Sequence, residues 1–383
     1  MANLPVKWFD NRFHGIPLLS GTPGAFTDLM DAVLVNGFGN TNVVTINVLD
    51  KKATLILQDG VRFIPKAVVA LTNMSNQALN TEYRVVSSDI GKLVIEMDVP
   101  DGPITVTNVV VKYAPIGWFK PFSGVSRGIY KPSKVDALNW MFYVDDSQAL
   151  GAEVCICENA TTIDNRIDQK PANNTYRWLK SYWANTDNRN SFCIIGDPYC
   201  LYYKGSQLNT LPALNKDYGC WNFVGEGVRL SKTLDPFAVY LTGQLDKGRP
   251  MYYNGNVFIN DPNSSPKTTL RPANGLKMNQ SFIPALRNTN YWTYFTETLY
   301  YNSDGDSLLL SENFFVDDSR RITKMPGIVT APGYKQGYTF ESFIEAKDNS
   351  LNRDLIFSMS SADNYPYTTP NLLNYFDITG PWR

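Results

Sequence analysis

The chain carries one histidine, His14, among 383 residues. Hydrolytic sites of the Ser-His-Asp and Cys-His kinds need an imidazole base. His14 lies in an N-terminal stretch without regular pattern, so it reads as a surface or packing residue. With a single histidine no HExxH zinc helix is possible, and a Walker A loop and a strand–GxGxxG–helix unit are also missing. Gly37-Phe38-Gly39 follows a predicted helix instead of preceding one, so it reads as a cap and a turn. No uncharged apolar run approaches the ~18 residues that a membrane-spanning helix needs. No basic stretch leads into an apolar one at the N-terminus, which speaks against a secretory leader. Neither charge is in excess, with 35 Lys+Arg against 36 Asp+Glu. Duplex binding rests on many Lys/Arg–phosphate contacts, so no nucleic-acid partner is expected. These absences point away from an enzyme and from any cofactor.

Cysteine is scarce as well. The five are Cys155, Cys157, Cys193, Cys200 and Cys220, and an odd number excludes a fully paired disulfide framework. Cys155-Ile156-Cys157 sits on an alternating apolar segment, which puts both thiols on one face of a strand. A zinc site wants CxxC-type spacing and further ligands nearby. The cysteines therefore read as buried, reduced thiols with no metal, in a chain made in a reducing cytoplasm.

What the chain does have is aromatic content, 13% Phe, Trp and Tyr, and patterning. The first 20 residues are not periodic yet hold Trp8, Phe9, Phe13 and Ile16. Rings in such a segment either tuck under their own domain or lie on a neighbour, because an exposed apolar patch is unfavourable. Thr22-Pro23 suits N-cap and first-turn positions. Ala25, Phe26, Leu29, Met30, Val33 and Leu34 follow as one apolar stripe, predicting a helix of about three and a half turns. Asn36-Gly37 ends it, with Gly37 suited to a left-handed cap.

From about residue 41 the period changes to two. Val43–Val48, Ala53–Leu57, Ala67–Leu71, Tyr83–Val86, Leu93–Met97 and Ile104–Lys112 are β-branched runs separated by turn residues, which predicts a small antiparallel barrel or sandwich over 41–113. Past the linker Ala114-Pro115-Ile116-Gly117 the chain is strand-like again. Runs there include Trp140–Val144, Glu153–Glu158, Ser191–Ile195, Cys200–Lys204, Phe237–Leu241, Asn256–Asn260, Thr293–Tyr300, Ser307–Leu310 and Phe314–Asp317, and Tyr176–Tyr182 is compatible with a strand. No βα alternation is present. The expected fold class is mainly β, antiparallel sandwich or barrel domains with one short N-terminal amphipathic helix. The expected parts are an arm and helix at 1–40, the small β-domain at 41–113 and a larger β-rich domain at 114–383 with room for two sub-units.

Two acidic pairs deserve weighing against glycoside cleavage. Asp145-Asp146 and Asp317-Asp318 each end an aromatic strand, in the matching hexads Phe142–Ser147 and Phe314–Ser319. Cleavage needs two carboxyls facing each other about 5–9.5 Å apart, and adjacent strand residues point to opposite faces. The hexads read as turn chemistry at strand ends, with a pseudo-repeat as the alternative. Asp304-Gly305-Asp306 lacks the spacing and distal Glu of a calcium loop and reads as a hairpin turn. Aromatic clusters at Tyr176, Trp178, Tyr182 and Trp183, at Tyr199, Tyr202 and Tyr203, and from Tyr291 to Tyr301 suit protein interfaces and sugar-binding surfaces alike.

The chain resembles a family of tailed-bacteriophage virion structural proteins nearly end to end. The likeness rests on Leu18–Gly24 leading into Leu29–Gly39, on Leu79–Val85, on Pro115–Gly124, on Tyr143–Ser147, on Ile195–Tyr202, on Lys324–Ile328 and on Ile378–Arg383, in that order. The resemblance implies a non-enzymatic, oligomeric virion component, tail- or baseplate-associated, assembled in the host cytoplasm and in contact with other virion proteins. It implies no catalytic motif, no membrane insertion and no cofactor. A symmetric ring around the tail axis repeats one interface, and Trp8, Phe9, Phe13 and Trp382 are the candidate assembly contacts. The alternatives are a virion-surface receptor or glycan-binding module contacting host surface glycan, a head decoration protein and, last, a depolymerising enzyme.

Overall fold

The structure is a computed structural model. It describes residues 6–171, 175–181, 190–205, 221–229 and 238–243, the strands at 267–269, 280–284, 311–317, 320–333 and 355–359, and the segment 371–383. Beyond residue 243 side chains are described at 323–329 and 375–383. The architecture is mainly β, with antiparallel sheets and one short helix, as the alternating patterns predict.

The N-terminal segment is not an irregular arm. Strand β1 (Lys7–Asp10) pairs antiparallel with Phe192–Asp197, and all four of its residues are buried. Trp8 meets Phe13 edge-on at 4.7 Å, Phe9 meets Phe38 at 5.5 Å, and Phe13 meets Tyr113 at 4.7 Å. Burying each large apolar side chain contributes about 1.5–3 kcal/mol, and each ring pair adds about 0.5–1.5 kcal/mol. Of the two placements open to these rings, the chain takes the first: they wedge between its own barrel and its own second sheet.

The helix forms where the stripe predicts, but with a different start and a different second half. Helix α1 (Ala25–Met30) runs directly into a π-helical turn, Asp31–Asn36. The residue before it is Gly24 at φ 91°, so neither Thr22 nor any other local side chain caps it. Its first amides are instead capped from far away by Asp146. At the other end Gly37 stands at φ 69°, and a Cβ there would lie 2.4 Å from the Tyr113 carbonyl oxygen, so only glycine lets the chain turn against the barrel. The buried face carries Phe26, Leu29, Met30, Val33 and Leu34. Phe26 lies 5.0 Å from the Tyr203 ring.

The following strands are β2 (Phe38–Leu49), β3 (Lys52–Leu57), β4 (Val68–Thr72), β5 (Glu82–Asp89), β6 (Lys92–Glu96), β7 (Gly102–Ile104) and β8 (Val110–Tyr113). Pairing runs β3-β6-β5-β4-β8-β2 and back to β3, which closes a six-stranded barrel; β7 adds to the far half of β2. Closure depends on bending. β2 has register breaks between Phe38 and Thr41 and between Val43 and Thr45, and β5 has one between Val85 and Ser87. Such bulges turn a strand so that it serves two neighbours along one side. Ile46, Val48, Leu55, Val85, Leu93 and Ile95 point inward and are buried. The run Ile104–Lys112 forms two strands instead of one, because Asn108 takes φ 55° and breaks the ladder.

The next sheet orders β15-β12-β11-β10-β9, from β9 (Trp118–Gly124), β10 (Arg127–Pro132), β11 (Met141–Asp145), β12 (Gly151–Cys157) and β15 (Tyr176–Leu179). Strands β13 (Asn159–Ala160) and β14 (Arg166–Ile167) make a small hairpin between β12 and β15. A six-stranded sheet follows in the order β1-β16-β17-β18-β20-β21, with β16 (Phe192–Asp197), β17 (Cys200–Gly205), β18 (Trp221–Glu226), β20 (Val239–Thr242) and β21 (Lys267–Thr269). The last sheet holds β22 (Gln280–Pro284), β23 (Ser311–Asp317), β24 (Arg320–Gly333), β25 (Leu355–Met359) and β26 (Asn371–Asp377), with β19 (Val228–Arg229) added at β24. The expected runs Asn256–Asn260, Thr293–Tyr300 and Ser307–Leu310 lie outside the described residues. The first four residues of each acidic hexad, Phe142–Asp145 and Phe314–Asp317, fall on the middle strand of a three-strand meander, β11 and β23. Their turns differ, however: Asp145 pairs with Glu153, and Asp317 with Arg320.

Aromatic rings weld these sheets together. Trp178 of β15 stacks on Tyr203 of β17 at 5.4 Å and 7°. Trp221 and Tyr202 reach Phe376 of β26 at 4.5 and 5.1 Å.

Candidate functional site

Three buried charge clusters stand out, each tying together segments remote in sequence. The first is at β1. Lys7 Nζ donates to Glu82 Oε1 at 2.7 Å and to the Pro115 carbonyl oxygen. Burial pushes its pKa down, and the Glu82 carboxylate works against that shift.

The second lies at the start of α1. Asp146 and Lys180 form an ion pair whose side chains are both wholly buried. Asp146 Oδ2 accepts from the amides of Phe26 and Thr27 at 2.7 and 3.4 Å. Lys180 Nζ donates to the carbonyl oxygens of Thr22 and Gln148 at 2.8 and 3.0 Å. A carboxylate at a helix start accepts otherwise orphaned N–H groups and meets the positive end of the dipole. Burial raises the Asp146 pKa against the hydrogen bonds and charge of Lys180, and burial lowers that of Lys180.

The third surrounds Arg383. Its guanidinium lies 3.4 Å from Asp197 Oδ2 and donates to the Glu226 carbonyl oxygen at 3.0 Å. It also covers the Tyr199 ring at 4.5 Å. Asp197 Oδ1 accepts from the amides of Tyr199 and Cys200 at 2.8 and 2.9 Å. Glu226 Oε1 accepts from the Leu138 amide at 2.7 Å and from Trp140 Nε1 at 3.1 Å. Burial raises the Glu226 pKa, opposed by those two donors. Beside it Trp382 donates from Nε1 to the Asp377 carbonyl oxygen at 2.7 Å. Gly327 at φ 66° makes room for that indole, since a Cβ would lie 2.0 Å from the ring.

In these clusters the charged side chains are engaged by main-chain groups, by a counter-ion or, at Glu226, also by the Trp140 indole. Chemically they act as cross-links. Breaking one leaves a buried charge unpaired, which costs about 3–5 kcal/mol.

The residues singled out in the sequence fall as follows. Trp8, Phe9, Phe13 and Trp382 are 2%, 1%, 3% and 7% exposed and are occupied within their own chain. The first three form one wedge, and Trp382 lies with the C-terminal cluster. A second chain would reach them once β1 or the segment after β26 peeled away. His14 is exposed. Asp145 and Asp146 diverge: Asp145 accepts from Tyr143 Oη at 3.1 Å and the Ser147 amide at 3.0 Å, while Asp146 turns inward to the helix. Asp318 and Asp304-Gly305-Asp306 lie outside the described residues, as do Tyr182, Trp183, Cys220 and the cluster from Tyr291 to Tyr301. Tyr176, Trp178, Tyr202 and Tyr203 are buried. Cys155, Cys157, Cys193 and Cys200 are buried, and burial pushes the Cys157 pKa up to about 12. Among the described residues no group of three or more His, Cys, Asp or Glu converges, and no described helix is long and apolar enough to cross a membrane.

Sequence reasoning missed Lys180, Asp197, Glu226 and Arg383, because their partners lie tens of residues or more away and no spacing rule marks them. It also passes over Gly124-Val125-Ser126-Arg127-Gly128, a G-x-S-x-G pattern. Its context is the tip of the β9–β10 hairpin, where a hydrolase elbow requires strand–turn–helix. Ser126 takes φ 52° as a turn residue, and its carbonyl oxygen accepts from the Asp146 amide at 2.8 Å. Comparison with family models and with curated proteins gives no match for this chain.

Proposed function

We propose that this chain is a non-enzymatic structural component of a tailed-phage virion, tail- or baseplate-associated and present as several copies in a ring. The observation that carries the structural part of this reading is the use of buried charge. Lys7, Asp146, Lys180, Asp197 and Glu226 each bind main-chain groups or a counter-ion from distant parts of the chain. Such ties resist shear between sheets, which suits a load-bearing subunit. The resemblance of the ordered motifs, from Leu18–Gly24 to Ile378–Arg383, to those of phage virion proteins is the ground for the rest.

Because the arm's rings are committed internally, the contacts between copies fall to other residues. Val44, Leu49, Ile56 and Ile90 on the barrel are 54%, 63%, 41% and 78% exposed. These exposed apolar side chains are ones the barrel offers to a neighbouring chain. Purified particles examined by cryo-EM and peptide mass spectrometry test the reading. The expected result is density for this barrel in a symmetric ring. A protein recovered only outside particles, as a monomer, would refute it.

A further inference from the structure

The five-stranded sheet is covered on both faces. On the face away from the main core, Ile129, Met141, Tyr143, Cys155, Cys157 and Ala160 form a separate cluster beneath the β13–β14 hairpin. Alternation sets Cys155 and Cys157 on one side of β12, and both are fully buried. Register sets Met141 of β11 directly opposite Cys157, and Tyr143 opposite Cys155. Two thiols and a thioether therefore lie on one face of the sheet within one buried cluster. Residues two apart on a strand have Cα atoms about 6.6 Å apart, and directly opposed Cβ atoms lie about 4.5–5.5 Å apart. Side chains leaning together can then close to the roughly 4.6 Å spanned by two metal–sulfur bonds of about 2.3 Å.

The hairpin contributes a cation. The Arg166 guanidinium lies 3.9 Å over the Tyr143 ring. Gln169 Oε1 and the Ile163 carbonyl oxygen hold it there, accepting at 2.8 and 2.6 Å. Its charge is within electrostatic reach of both thiols.

We infer that Met141, Cys155 and Cys157 form a binding site for one soft monovalent cation of the Cu(I) or Ag(I) class. Thiolate and thioether are soft ligands and select such ions. Binding exchanges two S–H bonds for two sulfur–metal bonds and releases two protons to solvent. Two thiolates and one monovalent cation carry a net charge of minus one, and Arg166 balances it. Zinc is disfavoured, since a structural zinc takes four ligands in a tetrahedron. The way in is the hairpin, whose strands are two residues long and are held to the end of β12 through the Ile156–Lys170 bridge and the Glu158–Ile167 hydrogen bond. Short elements of this kind open locally at low free energy. This inference goes beyond the structural role proposed above and does not depend on it.

The test is titration of the reduced full-length chain with Ag(I), and with Cu(I) against a chromophoric chelator, read by intact-protein mass spectrometry. One equivalent is expected to bind well ahead of any other. Cys155→Ser with Cys157→Ser should abolish that equivalent, and Met141→Leu should weaken it roughly tenfold. If the double variant does not fold, alkylation mapping of the wild-type chain in mild denaturant decides. One equivalent of Ag(I) should then protect Cys155 and Cys157 and leave Cys193, Cys200 and Cys220 unchanged. Retention of the first equivalent by a folded double variant, or first protection at any of the other three cysteines, overturns the assignment.

Discussion

The barrel and the sheets beyond it solve the same problem by different means. The barrel fills its interior with aliphatic side chains such as Ile46, Val48, Leu55, Val85, Leu93 and Ile95, and its strands satisfy one another by closing the ladder. The open sheets bury Trp140, Trp178, Trp221, Tyr202, Tyr203 and Tyr240 together with charged Asp146, Lys180, Asp197, Lys204 and Glu226. A closed sheet needs only alternation and bulges. Open sheets stacked on one another leave margins where loop and helix-end main-chain groups are stranded. Those groups take their partners from phenol, indole, carboxylate and ammonium groups carried in from elsewhere in the chain.

The sharpest way to break this contrast is Lys180→Met. It strands the Asp146 carboxylate in a dry site, and a loss of about 3–5 kcal/mol is expected by chemical denaturation. Adding Asp146→Leu should recover part of the loss, leaving the uncapped amides of Phe26 and Thr27 as the remainder. If the double variant were no more stable than the single one, the tie would not be the source of the effect. In the barrel, Leu55→Ala opens a cavity and should cost about 2–5 kcal/mol at any pH between 5 and 8, because no ion is involved.

Glu226→Gln sharpens the comparison by its pH dependence. The Glu226 pKa is raised in the folded chain by burial, so the native state holds that proton more tightly than the unfolded state. The stability this lends is present below the unfolded carboxylate pKa and is lost as pH rises through the folded value. The variant should therefore gain on wild type as pH rises from 4 to 7, and the gap should close in acid. A pH-independent difference in Tm would contradict this. The smallest effect is expected for the exposed pair Lys51–Asp98, whose side chains are 75% and 76% exposed. Lys51→Ala should leave stability within about 0.5 kcal/mol.

The same contrast explains what could be read from the sequence. The barrel strands follow from local alternation between Asn, Asp and Gly turns, and the helix stripe from Phe26 to Leu34 is equally local. The run Ile104–Lys112 misleads because nothing in its β-branched residues shows that Asn108 will take a positive φ. Strands β9 and β10 stay hidden because Pro121, Gly124 and Gly128 give them the composition of a linker. The arm's strand β1 is unreadable alone, since its partner lies about 185 residues away by register with β16. The helix start shows the limit most plainly. Thr22 has the local chemistry of a cap, but Asp146 holds the position, and only the folded chain brings the two together. Tyr240 and Thr323 are a similar case, joined by a 2.7 Å hydroxyl contact across 83 residues.

Closure of the barrel also bears on how the chain fails. A ladder joined end to end leaves a stranger only the three-residue edge of β7, which Pro103 deprives of one amide, to extend. When a weakened variant clumps, the β-stacking should start in the open sheets, and the barrel peptides should be the last to gain protection from hydrogen exchange in the sediment.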